Sequence, residues 1–117
     1  MHEASAAEAI LRIVVPEAMA RGADRVSRIR LVVGEATGYM EESLAFFFGA
    51  MAKGGPAEGA ALEIEYVKTR LRCGSCGEEY DRAGWSFACP RCGGAGALTG
   101  SGDEFYVDSI EIEGGTA

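Results

Sequence analysis

Cys73-Gly74-Ser75-Cys76, a spacer of twelve residues, then Cys89-Pro90-Arg91-Cys92: this stretch holds all four cysteines of the chain, and everything else is placed relative to it. Each Cys-x-x-Cys pair can turn both sulfurs toward one point, and four thiolates suit the closed, tetrahedral coordination of a structural zinc ion. Glycines fall where such knuckles need tight or left-handed backbone, Gly74 and Gly77 around the first pair and Gly93 after the second, while Pro90 stiffens the second turn. Two disulfides and a four-sulfur iron centre are the alternative chemistries. The disulfides are disfavoured because nothing in the chain points to an oxidising compartment. Tyr80, Trp85 and Phe87 lie inside the segment and are expected to cover the metal site on one side.

Upstream, Leu62, Ile64 and Tyr66 alternate with Glu63 and Glu65; after Tyr66 the apolar side passes to Val67, Thr69 and Leu71, opposite Lys68, Arg70 and Arg72. Such a flip of phase marks a bulge or a handover between two cores. The strand is therefore expected to leave one body and run directly into Cys73. Downstream, Gly93 to Gly102 reads as a flexible return linker. Phe105, Tyr106, Val107, Ile110 and Ile112, with Glu111 and Glu113, give a last strand able to pair back onto the first body.

That body opens with a helix. Ser5-Ala6-Ala7-Glu8 fits the S-x-x-E capping box and predicts a helix beginning at Ala6, with Ala7, Ile10, Leu11, Val14 and Ala18 on one face. Pro16 deletes a backbone donor inside this pattern, which predicts a kink or two consecutive pieces, and Gly22 supplies the stop. Ile29, Leu31 and Val33 alternate with Arg28, Arg30 and Val32, a half-buried strand between Asp24 and Glu35. Gly34 to Gly38 reads as a connection. Leu44, Phe47, Phe48 and Met51 then place a second amphipathic helix near Glu41 to Lys53, ended by Gly54-Gly55-Pro56. The fold class that follows is α+β: a small three-stranded β-sheet with two helices plus an inserted zinc-ribbon-like module. Residues 1–70 and 103–117 are expected to form the α/β domain, and residues 71–102 the zinc-binding domain.

With 117 residues the chain has room for one core and one satellite. Eleven basic against eighteen acidic side chains give a net charge of -7, and four thiolates around one zinc ion would add two more negative charges. Binding to a phosphate backbone draws on clustered Lys and Arg, so this balance speaks against nucleic acid. Only Arg70, Arg72, Arg82 and Arg91 lie near the knuckles, with Glu78, Glu79 and Asp81 among them. No apolar run approaches the roughly 20 residues that a membrane span requires. Glu3, Glu8 and Arg12 interrupt what would be a signal-peptide core, which places the protein in the cytoplasm, where thiols stay reduced.

No nucleophile-base-acid constellation is present and no Gly-rich phosphate loop follows a strand, so enzymatic catalysis is not expected. The sole histidine is His2. With Met1 as the first residue, the α-amine, the His2 amide nitrogen and the His2 imidazole can close adjacent chelate rings around one ion. Such nitrogen donors favour a square-planar or tetragonal field, which suits Ni(II) or Cu(II) better than Zn(II). The Glu3 amide or carboxylate could complete the set. Because these ligands must lose protons, the site should weaken as pH falls.

Taken together, Met1-His2-Glu3, the helix opening at Ser5, the segment Arg28-Ile29-Arg30-Leu31-Val32-Val33-Gly34-Glu35, the two cysteine pairs and the closing Asp108-Ser109-Ile110-Glu111-Ile112-Glu113 resemble the HypA/HybF family. These are nickel metallochaperones for [NiFe]-hydrogenase maturation, in some organisms also serving urease. The resemblance implies nickel, as transferred cargo, bound at Met1, His2 and Glu3, and zinc held by Cys73, Cys76, Cys89 and Cys92. It also implies delivery, together with a HypB-type GTPase, to the hydrogenase large subunit, with urease maturation factors as further partners. Whether the chain forms a homodimer stays open. Two positions depart from the family pattern: Pro16 in the first helix, and Ala4 where leucine is expected, which bears on how the N-terminal arm is anchored. The rival readings are a rubredoxin-like iron electron carrier, which leaves the 72 residues before Cys73 without a role, and a zinc-ribbon interaction module.

Overall fold

The computed structural model describes residues 3–82, 86–99 and 102–114. Helix α1 spans Glu3–Ala20 and buries Glu3, Ala6, Ala7, Ile10, Val14 and Ala18 on one face. It begins earlier than the capping box predicts: Ser5 is exposed within the first turn, and Glu3 opens the helix. A tertiary contact explains the difference, since the Met40 amide donates to the Glu3 carboxylate at 3.1 Å and holds that residue in place. Pro16 does not divide the helix, which runs unbroken to Ala20. Pro16 is on the exposed side, as is Arg12 one turn earlier, so the carbonyl that loses its donor is one that water can reach. The end is a Schellman arrangement: Gly22 adopts φ 71°, its amide donates to Met19, and the Ala23 amide donates to Ala18.

Strand β1, Arg25–Gly34, is central in a sheet of order β2-β1-β6, with β2 at Ala61–Val67 and β6 at Phe105–Glu113. The Asp24 amide donates to Glu113 and the Gly34 amide to Glu104, so β1 and β6 run antiparallel. Ile29, Leu31 and Val33 are fully buried, as their alternation predicts. A short 3-10 turn, Glu35–Thr37, leads toward helix α2, Glu41–Ala52, which packs against α1. Leu44, Phe48 and Ala52 are its buried residues; Met51, expected on that face, is exposed.

The chain divides into two compact units, one of Met1–Val32, Tyr39–Glu65 and Tyr106–Ala117, the other of Val33–Gly38 and Tyr66–Phe105. The second unit thus begins at Tyr66 and takes in the turn after β1, where the expected division put residues 71–102. Its own bonds account for this. The Thr69 amide donates to the Glu35 carboxylate at 3.4 Å, Arg82 pairs with the same oxygen at 3.4 Å, and the Ala36 amide donates to Gly102. The phase flip after Tyr66 falls at this boundary: Thr69 and Leu71 are fully buried while Tyr66 is exposed.

Within the second unit a small sheet has the order β4-β3-β5, where β3 is Arg70–Cys73, β4 Glu79–Asp81 and β5 Gly96–Leu98. Both neighbours are antiparallel to β3; Leu71 faces Tyr80 on one side and Leu98 on the other. Part of the Gly93–Gly102 stretch is therefore a paired strand and not a linker. Three residues carry too little propensity to announce themselves; the partner strand makes them extended. No helix among the described residues is long and apolar enough to cross a membrane.

Candidate metal centre

The two Cys-x-x-Cys turns are the same structure built twice. In the first, the Gly77 amide closes on the Cys73 carbonyl and the Cys73 amide donates to Glu78; in the second, Gly93 closes on Cys89 and Cys89 donates to Gly94. Gly77 and Gly93 sit at φ 76° and 78°, a left-handed backbone that a residue with a Cβ would strain. Amides aim at the sulfurs: Ser75 and Cys76 donate to Cys73 Sγ at 3.3 and 3.4 Å, Arg91 to Cys89 Sγ at 3.4 Å, and Gly94 to Cys92 Sγ at 3.4 Å.

This geometry gathers all four sulfurs within 4.8 Å of one another, with Cys73 and Cys89 buried and Cys76 and Cys92 exposed. The shorter separations are 3.4 Å between Cys73 and Cys92 and 3.7 Å between Cys76 and Cys89. A tetrahedral zinc with bonds near 2.3 Å requires sulfurs about 3.8 Å apart, so the donor set fits a closed four-sulfur site. Without a cation such a cluster is electrostatically divided. The Cys73 thiol is pulled down to about 6 by the Cys76 and Ser75 amides. The Gly94 amide favours the Cys92 thiolate, but the crowding sulfurs of Cys73 and Cys76, with burial, push that thiol up to about 12. A divalent cation would remove this conflict.

The support beneath the sulfurs is small. Leu71, Cys73, Tyr80 and Cys89 form its buried cluster. Burial, then the neighbouring sulfurs, raise the Tyr80 phenol, so it keeps its proton and donates to the Phe87 carbonyl. Phe87 itself is exposed, and Trp85 lies outside the described residues. Gly94, passed over in the sequence as linker, matters because a Cβ there would stand 3.2 Å from Cys73 Sγ and 3.3 Å from Cys92 Sγ. The arginines near the knuckles are engaged: Arg70 with Asp81, Arg72 with Glu79, Arg82 with Glu35 and Arg91 with Glu78. They offer no free cationic cluster for phosphates.

Of the predicted N-terminal ligands, Met1 and His2 lie outside the described residues. Glu3 is buried in the first unit, its carboxylate directed at the residue that precedes α2. Sequence reasoning did not find Met40 as its partner, because a backbone amide leaves no residue-type signal.

Fold and site define a small metal-handling protein built on a closed sulfur cage, without a catalytic constellation among the described residues. Residues 1–112 match the family described as "Hydrogenase/urease nickel incorporation, metallochaperone, hypA". The chain belongs to this family, which makes it a maturation factor of the nickel-metallochaperone type and not an enzyme. It is 39 % identical over 114 residues to a hydrogenase maturation factor HypA of Caldanaerobacter subterraneus subsp. tengcongensis, covering 97 % of this chain and 100 % of that one. With the protein of the same name from Chlorobium limicola it shares 42 % identity over 115 residues, 98 % of this chain and 99 % of that one. The fold is similar to the solution structure of the Ni metallochaperone HypA from Helicobacter pylori, with a TM-score of 0.63, 21 % identity and coverage of 97 % and 98 % of the two chains.

Proposed function

We propose that this chain carries Ni(II) at its amino end and releases it for maturation of a [NiFe]-hydrogenase, and in some settings urease, while one resident zinc ion keeps the second unit folded. The observation that carries the reading is that the family match begins at residue 1 and so includes Met1-His2-Glu3, with the chain's one histidine. Where Met1 bears the free α-amine, that amine, the His2 amide nitrogen and the His2 imidazole supply three donors to one planar field. The Glu3 carboxylate already accepts the Met40 amide, which favours the Glu3 backbone nitrogen, at the first position of α1, as the fourth donor. The carboxylate then serves as an anchor that presents the donors above it.

An open, solvent-facing site of few nitrogen donors exchanges its metal faster than a closed four-sulfur site held by paired turns. This asymmetry assigns cargo to the first site and scaffold to Cys73, Cys76, Cys89 and Cys92. Tetrathiolate zinc would leave the cage with a net charge of -2 and no open position, which suits structure and not exchange. The partners of this reading are a HypB-type GTPase and the hydrogenase large subunit, with the cytoplasm as the compartment. Metal analysis tests the division of labour. In His2→Ala, tight nickel uptake is lost while one zinc per chain remains. Nickel uptake that survives His2→Ala, or zinc lost along with it, would overturn the assignment.

A further inference from the structure

The four sulfurs of the cage differ in how they face one another and in how they face solvent. The short contacts run between the two turns, Cys73 Sγ to Cys92 Sγ at 3.4 Å and Cys76 Sγ to Cys89 Sγ at 3.7 Å. Each contact joins one buried cysteine, Cys73 or Cys89, to one exposed cysteine, Cys92 or Cys76. Disulfide sulfurs stand about 2.0 Å apart, so either contact closes into a bond with a shift of less than about 2 Å. Four cysteines allow three pairings. Bonds across the turns use the short contacts and give every bond one sulfur that an oxidant can reach. Joining Cys73 to Cys89 would require the oxidant to reach one of two buried sulfurs first, and joining Cys73 to Cys76 and Cys89 to Cys92 forgoes both short contacts.

The two turns are also tied together by bonds that owe nothing to a metal. The Gly74 amide donates to the Ala95 carbonyl at 3.1 Å, Cys73 lies opposite Gly96 in the β3–β5 ladder, and Ala88 bridges to Ala95. At the surface Arg91, inside the second cysteine pair, reaches Glu78, just past the first, at 3.2 Å. An exposed ion pair adds little, so the backbone bonds carry the tie. They keep each exposed sulfur beside its buried partner whether or not an ion joins them.

We propose that the cage is a reversible oxidation site for peroxides, closing as two crossed disulfides, Cys73–Cys92 and Cys76–Cys89, and expelling its zinc. This rests on the reading that zinc occupies the cage. The exposed Cys76 or Cys92 thiolate attacks one peroxide oxygen; an S–O bond forms, the O–O bond breaks, and the departing hydroxide takes a proton from water. The facing buried thiolate then attacks the sulfenic sulfur, an S–S bond replaces the S–O bond, and the second hydroxide leaves and is protonated in turn. Per pair, two thiolates, one hydrogen peroxide and two protons become one disulfide and two waters; the sulfurs lose two electrons and the peroxide oxygens gain them. Closing the first pair leaves two thiolates, too few to hold the ion, and Zn(II) departs with its charge unchanged. The cage passes from a net charge of -2 to neutral. The crossed bonds link positions 19 and 13 residues apart and so take over from zinc the task of restraining the chain. In a reducing compartment such bonds are transient, as suits a sensor of oxidant and not a permanent staple.

Titration of the zinc-loaded full chain with hydrogen peroxide tests this, with zinc release followed by a chromophoric indicator and remaining thiols then blocked by alkylation. Full release should take no more than about two equivalents of peroxide per zinc. Cleavage after Arg72, Arg82 and Arg91 places Cys73 and Cys76 in one peptide, Cys89 in a second and Cys92 in a third. Mass spectrometry should find all three joined, and fragmentation between Gly74 and Ser75 should leave Cys73 with the Cys92 peptide and Cys76 with the Cys89 peptide. The oxidised chain should melt about 5 °C or more above the reduced, chelator-stripped chain, and a phosphine reductant with added zinc should return the starting protein. A Cys73–Cys76 bond, a bond between separate chains, cysteines oxidised without pairing, or zinc retained under excess peroxide would each overturn the proposal. So would an oxidised chain that melts with the stripped one. Zinc well below one per chain before any peroxide would contradict the zinc reading, and the peptide map of that same protein would still uphold or overturn the pairing.

Discussion

In the zinc-loaded protein proposed above, replacing Leu71 with alanine should weaken zinc binding by the second unit without touching the cysteines. Leu71 is fully buried, flanked by Tyr80 on one neighbouring strand and Leu98 on the other, and among the described residues shares its cluster with Cys73, Tyr80 and Cys89. So small a cluster has little room to close over the missing atoms, and a leucine-to-alanine change at such a site costs about 2–5 kcal/mol. Metal binding and folding of a unit this size are linked, so a loss of about 3 kcal/mol from the folded, metal-bound state, at 1.36 kcal/mol per decade, lowers zinc affinity on the order of 100-fold. Competition with a chromophoric chelator reads this directly. The control is Leu98→Ala, at a position 54 % exposed on the facing strand, which should change affinity by no more than about threefold. Equal affinities for wild type and Leu71→Ala would refute the idea that this cluster supports the cage.

Three further outcomes follow from the same geometry. Gly96→Ala should destabilise the second unit, because its Cβ would overlap the Tyr80 hydroxyl; adding Tyr80→Phe should recover part of the loss in thermal melts, and no recovery would place the clash elsewhere. Phe48→Ala, at a 3 % exposed position in the first unit, should cost about 3–5 kcal/mol in urea unfolding and leave zinc content unchanged. Acid should release the zinc. The Cys73 thiol is held at about 6, below its ordinary value of 9.0, so the fold favours its thiolate. Its contribution is complete above pH 9 and lost as pH falls through 6; chelator competition at pH 8 and 5.5 should show much weaker binding at the lower pH, and equal binding would contradict it.

What could be read from the chain and what could not divide along physical lines. The paired cysteine spacing, the helical recurrence of Ile10, Val14 and Ala18, and the alternation of Ile29, Leu31 and Val33 are periodic signals strong enough to stand alone. The shift of phase at Tyr66 located the passage between units because it reports a change in which face is buried. By contrast, β4 and β5 are three residues each, shorter than any periodicity. β5 is extended because β3 pairs with it, through Leu71–Leu98 and Cys73–Gly96. The capping signal at Ser5 failed for a related reason: a tertiary bond from Met40 to Glu3 fixed the helix start upstream of the local motif. Gly94 was hidden because its role is to leave room for sulfur, and a glycine beside another glycine resembles a linker. The attachment of residues 33–38 to the second unit depends on Glu35 reaching Thr69 and Arg82, pairings between residues more than 30 positions apart that no sequence pattern displays.

Cargo binding at the chain terminus is tested most sharply by adding a single glycine ahead of Met1 and titrating nickel calorimetrically into that variant and the unextended protein. The extension leaves every side chain in place and moves only the α-amine. Loss of the tight nickel site with zinc content unchanged is the predicted result. Nickel bound equally well by both would contradict a site that uses the free amino end.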